Sequence, residues 1–588
     1  MPRTTLALTS FVSGEFGNKL TGRTDFEKYQ SAAKTMENFL VHPQGAATRR
    51  VGTQFIEEVK DSSKKTRLIP FEFSTTQTYI LEFGDQYMRV YKDKGQVLSG
   101  GSAFEISTPY LEAELFDIKF AQSADVMYLV HPNHDVRKLS RTGHTSWSLA
   151  TVSFTGSPSL PISGSDDRPS SVSFYEQRLA FAGTNNNPQT IWFSKAGDYE
   201  NFTTGTNADD AMIYTIASNQ VNAIRYLKAQ RTLVVGTSGG EFTVSADGTD
   251  ASITPTNVTI KRQSSFGSAG VDAIPAGNAV LFLQKAKRKI RELAYNFDSD
   301  GYVAPDLTIL NDTVTKSGIN QMIFQQEPDS IIWCVRDDGV LAGLTYQRSE
   351  NVVAWHRHIF GGVFGSGNAV CESAASISGT LTEDELWVIV KRTINGATKR
   401  YVEFIHQYDF DETDDTSFNF LDSQLSYDGS AVTNISGLAH LEGQTVSVLA
   451  DGATHPDKVV SSGSITLERA ASKVKVGLSY TSLLQTMRID AGSQNGTSQS
   501  KTKRIYEITA RLYESIGVEI GPDLANMERI PFRSSANAMD SGINVFTGDK
   551  EIEFRGNYET DGFIFVRQTQ PLPLTILSLY PKLQTNDG

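Results

Sequence analysis

A regular spacing of apolar runs constrains this chain more than any other feature of its sequence. Each run follows a shorter apolar stretch and is succeeded by a polar turn and an alternating strand pattern. Successive runs begin 47, 53, 54, 47, 51 and 55 residues apart, at Tyr79, Val126, Leu179, Leu233, Val280, Ile331 and Leu386. A unit of about 50 residues with three or four strands is typical of one blade of a β-propeller, because the central strands of a blade are covered on both faces.

The sequence therefore predicts a mainly β protein in which six or seven propeller blades fill residues 69–405. An irregular stack of β-sandwiches is the alternative, since it would also produce frequent short strands. With 588 residues the chain is long enough for two to four domains. We expect an N-terminal helix and interface segment over 1–65, a β-propeller over 66–410, a small acidic β-barrel or sandwich with a linker over 411–500, and a C-terminal β domain over 501–588.

Composition is that of a folded protein that depends on packing and backbone pairing. Apolar residues make up 39% of the chain and charged residues 21%. The two cysteines, Cys334 and Cys371, are too few for a disulfide framework or a cysteine-based zinc site. No apolar run approaches the ~18 residues of a membrane helix, and the first residues lack the apolar core of a secretory signal. We therefore expect no stable membrane insertion.

The stretch from residue 20 to residue 52 has the one long helical periodicity in the sequence. Thr24 and Glu27 have the spacing of a helix capping box. The apolar residues that follow at helical spacing are Phe26, Tyr29, Ala33, Met36 and Leu40. This pattern predicts an amphipathic helix over 25–40.

A basic loop follows the predicted helix, which Pro43 would end. Gly45 and Gly52 bracket Arg49 and Arg50. A flexible loop of this kind would hold both guanidinium groups out to a carboxylate or phosphate partner. In the alternative, the helix packs on its own chain and the arginines are ordinary surface residues.

Negative charge is concentrated in one segment of the chain. The net charge is −13, which argues against general affinity for nucleic acid. Residues 401–457 contain eleven acidic residues and no lysine or arginine. The members that we single out as a candidate acidic surface are Asp409, Asp411, Glu412, Asp414, Asp415, Asp422 and Asp428.

The sequence contains no evident catalytic constellation. It has no G-x-S-x-G elbow and no Walker loop, and the SADGTD stretch at 245–250 lacks the aromatic residue and the repetition of a sialidase box. His131 with His134, and His356 with His358, lack nearby carboxylates on a helix, so structural or surface roles are expected. We expect no enzyme activity, no cofactor and no metal site.

Two charged clusters have both a functional and a simpler interpretation. DFDETDD at 409–415 has oxygen ligands but lacks the residue order of a calcium loop, which favours a solvated acidic loop. KAKRKIRE at 285–292 has five basic residues in seven positions. It could contact phosphate or dock on the acidic 401–457 segment of a neighbouring copy, but an exposed turn is the simpler interpretation.

Several stretches of the chain, taken together, resemble a known protein family. The most specific one comprises Gly22, Arg23, Asp25, Tyr29, Asn38, Phe39, residues 43–47, Arg49, Arg50 and Gly52. Others are AQSADVMYLVHP, SFYEQRLAFAGT, PQTIWFSKAGDYENF, NVVAWHRHIFGG, LEGQTVSVLADG and QPLPLTILSLYP. Together, in order along most of the chain, they resemble the nozzle proteins (tail tubular protein B type) of short-tailed bacteriophages. Ala46 and Val51 depart from that pattern, where Gly and Pro are usual.

This resemblance implies a structural protein of the virion tail, made in the host cytoplasm. It would form a ring, expected to contain six copies, that continues the DNA-ejection channel below a portal and adaptor. Implied partners are other copies of the chain, the tail adaptor, tail fibres or a tail needle, and genomic DNA that passes through the lumen without sequence-specific binding. The alternative is a tail-associated glycan hydrolase or a receptor-binding protein on a propeller scaffold.

The resemblance also suggests where the ring would make its contacts. We expect the acidic residues of 401–457 to line the channel, where they would repel DNA. The predicted helix and basic loop would form a subunit or adaptor interface. Its candidate residues are Gly22, Arg23, Asp25, Tyr29, Asn38, Arg49 and Arg50.

Overall fold

The computed structural model describes residues 3–156, 167–217, 221–248, 251–379, 383–407, 416–490, 498–535, 537 and 541–586. Strands dominate these ranges, and the chain is mainly β, as the sequence predicts. The helices within them are five 3₁₀ turns, Asn18–Leu20, Glu27–Tyr29, Glu112–Asp117, Arg348–Glu350 and Ala439–Leu441. None of the described helices is long and apolar enough to span a bilayer.

Seven antiparallel units of four main strands follow one another along the chain. In the first six, the strands lie side by side in chain order, and units six and seven are parts of larger sheets. We number them blades 1 to 7. Blade 1 contains Arg67–Ser74, Gln77–Gly84, Tyr87–Lys92 and Glu105–Ser107, with the short Gly95–Gln96 also on its third strand. Blade 2 contains Lys119–Ser123, Val126–His131, His134–Gly143 and Ser146–Thr151. Blade 3 contains Ser171–Tyr175, Arg178–Ala182, Thr190–Phe193 and Met212–Thr215.

The remaining blades have the same order. Blade 4 contains Ile224–Ala229, Leu233–Thr237, Gly240–Ala246 and Val258–Ser264. Blade 5 contains Ile274–Ala276, Ala279–Leu283, Ile290–Asn296 and Gly301–Val303. Blade 6 contains Ile319–Gln325, Ile331–Arg336, Leu341–Gln347 and Val352–His358. Blade 7 contains Val370–Ile377, Glu385–Ile394, Ala397–Ile405 and, out of chain order, Thr53–Glu58. Two small hairpins, Leu98–Ser99 with Ser102–Ala103 and Val363–Phe364 with Gly367–Asn368, lie outside the blades.

The predicted propeller is confirmed, with seven blades. The second strand of each blade begins within two residues of the start predicted from the apolar runs. These runs are apolar because the strands are covered on both faces, and every residue of Arg178–Ala182 and of Ala279–Leu283 is buried.

The ring closes through a strand from the other end of the chain. Thr53–Glu58 pairs antiparallel with the third strand of blade 7, with Thr53 opposite Ile405. Blade 7 also packs on blade 1 through an apolar cluster that includes Trp387 and Tyr91, and every other pair of neighbouring blades shares such a cluster. The sequence pattern does not predict the closing strand, since it lies outside the repeats.

Residues 422–478 form a small β module, which we call the middle module. Its strands are Asp422–Ser436, Thr445–Ala450, Ala453–Val459 and Ser464–Leu478. They enclose an apolar core of their own. Gln424 of its first strand pairs in parallel with Gln54, so the sheet of blade 7 continues outward into this module.

Strands from both ends of the chain form a second body, the terminal module. One of its sheets contains Arg3–Thr5, Phe39–Val41, Ala47–Arg49, Thr502–Ser515, Phe546–Glu553 and Thr575–Asn586. The other extends the sheet of blade 6 with Gly14–Glu15, Ala32–Glu37, Ser482–Thr486, Phe565–Gln568, Glu519–Gly521 and Glu528–Arg529. Residues from both sheets share one core. The predicted separate unit over 1–65 is therefore wrong: the N-terminal segment is divided between the terminal module and the propeller.

The helix predicted over 25–40 is also wrong. This stretch forms the 3₁₀ turn Glu27–Tyr29 and the strands Ala32–Glu37 and Phe39–Val41. Ala33 and Met36 both lie in the core of the terminal module, because a register shift separates them within their strand. A bulge adds one residue to a strand, so two residues three positions apart can face the same side. This spacing imitates helical periodicity.

Candidate functional site: a buried arginine joint and the surfaces around it

Arg50 lies where the propeller meets the middle and terminal modules. Its side chain is 1% exposed and forms a two-point ion pair with the fully buried Asp422, in which both Nη–Oδ distances are 2.9 Å. Nη1 also donates to the carbonyl of Val51 at 2.8 Å. The N–H of Gly361, between blades 6 and 7, donates to Oδ2 of Asp422 at 2.7 Å. The planar guanidinium thus connects the first residue of the middle module to the propeller.

Arg49 makes the equivalent connection to the terminal module. It is fully buried and donates to the carbonyls of Leu572 at 2.9 Å and Tyr480 at 3.0 Å, and also to that of Gln570. The ring of Tyr480 lies between the two guanidinium groups, with its centroid 4.6 Å from Arg49 and 4.1 Å from Arg50. Burial lowers the pKa of Arg49, whereas Asp422 outweighs burial and raises the pKa of Arg50.

Asn38 completes the contacts around Arg50. Its Nδ2 donates to the carbonyl of Thr481 at 2.8 Å, and its Oδ1 accepts the N–H of Ile359 at 2.9 Å. Its carbonyl accepts the N–H of Arg50 at 2.9 Å. The residue has a φ of 55°, in the left-handed region that asparagine tolerates better than most residues.

A second buried ion pair continues the network toward blade 7. Arg392 pairs with Glu403, both fully buried, and its Nε donates to the carbonyl of Gly361 at 2.8 Å. Thr53 donates its hydroxyl to Glu403 at 2.6 Å and accepts the N–H of Ser423 at 2.8 Å. We call this network, with Asn38, Arg49, Arg50 and Asp422, the arginine joint.

The arginine joint overturns several sequence-based expectations. Asn38, Arg49 and Arg50 cannot contact another subunit, and Asp422 cannot line a channel, because all four are buried within this chain. Arg49 belongs to the strand Ala47–Arg49, so no flexible loop presents it to a partner. Tyr29 is buried too, and its hydroxyl donates to the carbonyl of Thr21 at 2.8 Å.

The other candidate interface residues lie on the surface. Gly22, Arg23 and Asp25 are exposed, and Nε of Arg23 lies 2.8 Å from Oδ1 of Asp25. The N–H of Gly17, at the start of this segment, donates to the carbonyl of Leu310 at 2.8 Å. The segment is thereby attached to the connection between blades 5 and 6.

A cleft of about 560 Å³ separates this segment from the basic hairpin 285–289 of blade 5. The five residues of the hairpin are exposed. Lys289 lies 2.8 Å from the carboxylate of Asp306, and Lys287 contacts Asn320 at 3.4 Å. The structure therefore places the basic hairpin across this cleft from residues 17–20 of the N-terminal segment.

The other acidic candidates are only partly described. Asp409, Asp411, Glu412, Asp414 and Asp415 lie outside the described residues, as does the possible calcium loop at 409–415. Asp428 is exposed on the first strand of the middle module, opposite Lys473.

The first histidine pair does have a carboxylate neighbour, contrary to expectation. His134 Nε2 lies 2.8 Å from Oε2 of Glu114, and ligand atoms of His131, His134 and Glu114 lie within 4.8 Å of one another. Burial acts to raise the pKa of Glu114, but hydrogen bonds from Leu111, His134 and Asn133 lower it to about 2. Nδ1 of His131 accepts the N–H of Asn133 at 3.1 Å, so the ring proton occupies Nε2. This arrangement favours a hydrogen-bonded cluster over a metal ligand set.

His356 and His358 are buried beneath the arginine joint. Nδ1 of His356 lies 2.6 Å from Nε2 of His358. Burial lowers the pKa of both imidazoles, to about 3 for His356. Both are therefore neutral at pH 7 and have a structural role, as the sequence suggests.

Comparisons with known proteins bear on the fold alone. No family model matches the sequence, and no curated protein matches it. Among solved structures it is similar to the β-propeller domain of Myceliophteria thermophila Cps50 (Swd1), with 9% identity over 60% of this chain and 100% of that one, at a TM-score of 0.38. It is also similar to the WD40 repeats of RRP9, with 9% identity over 61% of this chain and 99% of that one, at a TM-score of 0.39. For the Neurospora crassa Pan2 WD40 domain the identity is 10% over 62% of this chain and 96% of that one, at a TM-score of 0.36. At such TM-scores, the propeller assignment depends on the sheet order and blade interfaces.

Proposed function

We propose that this chain is a structural component of a short bacteriophage tail, whose copies form a ring, or nozzle, that extends the DNA-ejection channel below the portal and adaptor. One observation carries the proposal. The residues that most resemble the family include Asn38, Arg49, Arg50 and Gly52, and these lie in or beside the buried arginine joint. A motif in this position preserves the relative placement of three β bodies, which is what a ring subunit requires.

Gly52 shows how strict this placement is. A Cβ atom on Gly52 would lie 1.8 Å from the carbonyl oxygen of Leu421, immediately before the middle module. Any side chain would push the middle module away from blade 7. The close packing against Leu421 thus explains why this position of the family-like motif is a glycine, without a bound ligand.

The exposed part of the N-terminal segment and the basic hairpin are the proposed contact surface to a neighbouring copy or the adaptor. Charge complementarity with acidic residues of the neighbouring copy or the adaptor would orient the subunits. We expect Arg23→Glu combined with Lys287→Glu to reduce ring assembly, whereas Arg511→Glu on the terminal module should not. Arg511 is a matched control because it too is an exposed arginine paired with a carboxylate, that of Asp549. Assembly of the double variant equal to that of the control would contradict this interface.

We propose that carboxylates of residues 401–457 face the ring lumen, where they would keep DNA from adhering. The exposed Asp428 remains a candidate, as do the acidic residues of 409–415, but the buried Asp422 does not. The test is an ejection assay on particles in which these carboxylates are changed to amides. An unchanged ejection rate with an unchanged salt dependence would count against an acidic lumen.

Electron microscopy of the purified protein, alone and with the adaptor, tests the function directly. We expect rings whose mass is about six times the 64.5 kDa of one chain. A protein that stays monomeric in both conditions would contradict the proposal. Release of soluble products from host polysaccharide or peptidoglycan would favour the glycan hydrolase alternative.

A further inference from the structure

A charged cavity on the axis of the propeller has no part in the function proposed above. Its volume is about 210 Å³, and its walls include the innermost strands of blades 1, 2, 5, 6 and 7 together with Lys228 of blade 4. We propose that this cavity binds a small oxyanion of the phosphate class through Arg67, Lys119 and Lys228.

Arg67 supplies a buried guanidinium with an unused donor. It is 8% exposed, and its Nη1 donates to the carbonyls of Leu115 at 2.8 Å and Ile118 at 2.7 Å. Its buried Nε has no hydrogen-bond partner among the described residues, and the carboxylates of Asp272 and Asp117 act on its charge without forming an ion pair with it. A guanidinium without a carboxylate partner is well suited to the oxygens of a phosphate group.

Two lysines, Lys119 and Lys228, line the cavity together with one carboxylate, that of Asp272. Nζ of Lys119 donates to the carbonyl of Arg225 and lies 3.4 Å from Oδ1 of Asp272. Lys228 lines the same cavity, and its ammonium forms no hydrogen bond or ion pair with a described residue. Three cations and one carboxylate give the lining a net charge of about +2 in a small, partly open cavity, where a dielectric below that of bulk water strengthens attraction to an anion.

The electrostatic environment of these groups favours a bound anion. Burial lowers the pKa of both Arg67 and Lys119, so each positive charge is maintained against a desolvation cost. Burial acts to raise the pKa of Asp272, but the three cations outweigh it and lower that pKa. A bound dianion would offset the remaining positive charge.

The size and lining of the cavity define the class of ligand. Phe116, Phe120 and Phe324 form apolar parts of the wall, and Asn320, Gln321 and Ser376 add uncharged polar groups to it. The volume accommodates inorganic phosphate or a small phosphate monoester, but not a nucleic-acid strand. The site is thus distinct from any lumen through which DNA would pass.

Thermal unfolding of the full chain, titrated with inorganic phosphate at constant ionic strength, tests the proposal. We expect a saturable rise of the midpoint, because a ligand that binds the folded state alone stabilises it. Lys228→Gln should raise the apparent Kd about tenfold, as expected for loss of one charge-assisted hydrogen bond. Lys285→Gln is the control, since it removes the same charge from the exposed hairpin. A second titration with glycerol phosphate shows whether a monoester enters as readily as the free ion.

Asp272→Asn gives a test of opposite sign. Removal of the competing carboxylate should lower the apparent Kd for phosphate, which a general salt effect would not do. No saturable shift in the wild-type protein would overturn the site. Equal shifts in the Lys228→Gln and Lys285→Gln variants would also overturn it, because binding would then occur elsewhere on the surface.

Discussion

Arg50 and Asp422 form a buried two-point ion pair across 372 residues of sequence, with both Nη–Oδ distances at 2.9 Å. A buried ion pair contributes little net stability compared with apolar residues of similar size, because desolvation of both charges opposes their attraction. Its directional hydrogen bonds nevertheless permit one relative placement of the groups they join. The pair therefore determines how the propeller and the middle module are oriented.

Loss of one partner of this pair should be costly. We expect Arg50→Ala to lower the free energy of unfolding by about 3–5 kcal/mol, because Asp422 would remain buried without its counter-ion. The exposed pair Arg511–Asp549 is a matched control, and Arg511→Ala should cost no more than about 1 kcal/mol. Urea unfolding of both variants measures the difference, and equal costs would mean that the joint does not depend on this pair.

Gly52 should tolerate no side chain. Gly52→Ala places a methyl group 1.8 Å from the Leu421 carbonyl oxygen, and we expect it to cost about 1–3 kcal/mol or more through forced backbone movement. Gly22→Ala is the control, since no atom lies within 4 Å of the added carbon. Thermal unfolding compares the two variants. If both melt at the wild-type temperature, the close approach at Gly52 is not maintained in solution.

Buried neutral histidines should make the protein sensitive to mild acid. Burial lowers the pKa of His356 and His406 to about 3 and that of His440 to about 4. The unfolded chain, with histidine pKa values near 6.5, therefore binds more protons than the folded chain between these values. Stability should be constant above about pH 6.5 and fall below it, by up to about 1.4 kcal/mol per pH unit for each histidine.

Urea midpoints at pH 7.5, 6.5 and 5.5 measure this effect in a range where few carboxylates titrate. His440→Gln should flatten the dependence, because it removes one of these buried imidazoles. Identical midpoints at the three pH values would rule out a histidine contribution.

Both cysteines should be inert in the folded protein. Cys334 and Cys371 are buried, and burial raises the pKa of each thiol well above its usual range. A thiol-specific reagent should therefore label no cysteine under native conditions and two per chain after denaturation. Native labelling at the denatured rate would show that blades 6 and 7 open readily.

The candidate site was harder to predict than the fold, although the sequence contains a usable signal. Arg392 and Glu403 are buried charges in strands that each contain an apolar run, WVIV and YV, and Arg49 and Arg50 likewise follow buried residues. A charge at such a position must find a buried partner. The sequence does not specify which partner, because Arg49 and Arg50 find theirs far along the chain, at Tyr480, Leu572 and Asp422.

By itself, the sequence determined the propeller repeat and, to within two residues, the start of each central strand, because a strand covered on both faces must be apolar throughout; it left the number of blades at six or seven. Only the tertiary structure decided the role of the N-terminal segment. Ala33 and Met36 keep helical spacing in a bulged strand, and Thr53–Glu58 finds its place in blade 7 only once the ring is formed. The spacing of apolar residues along the chain shows which residues are buried. Strand pairing between distant segments determines the residues against which they pack.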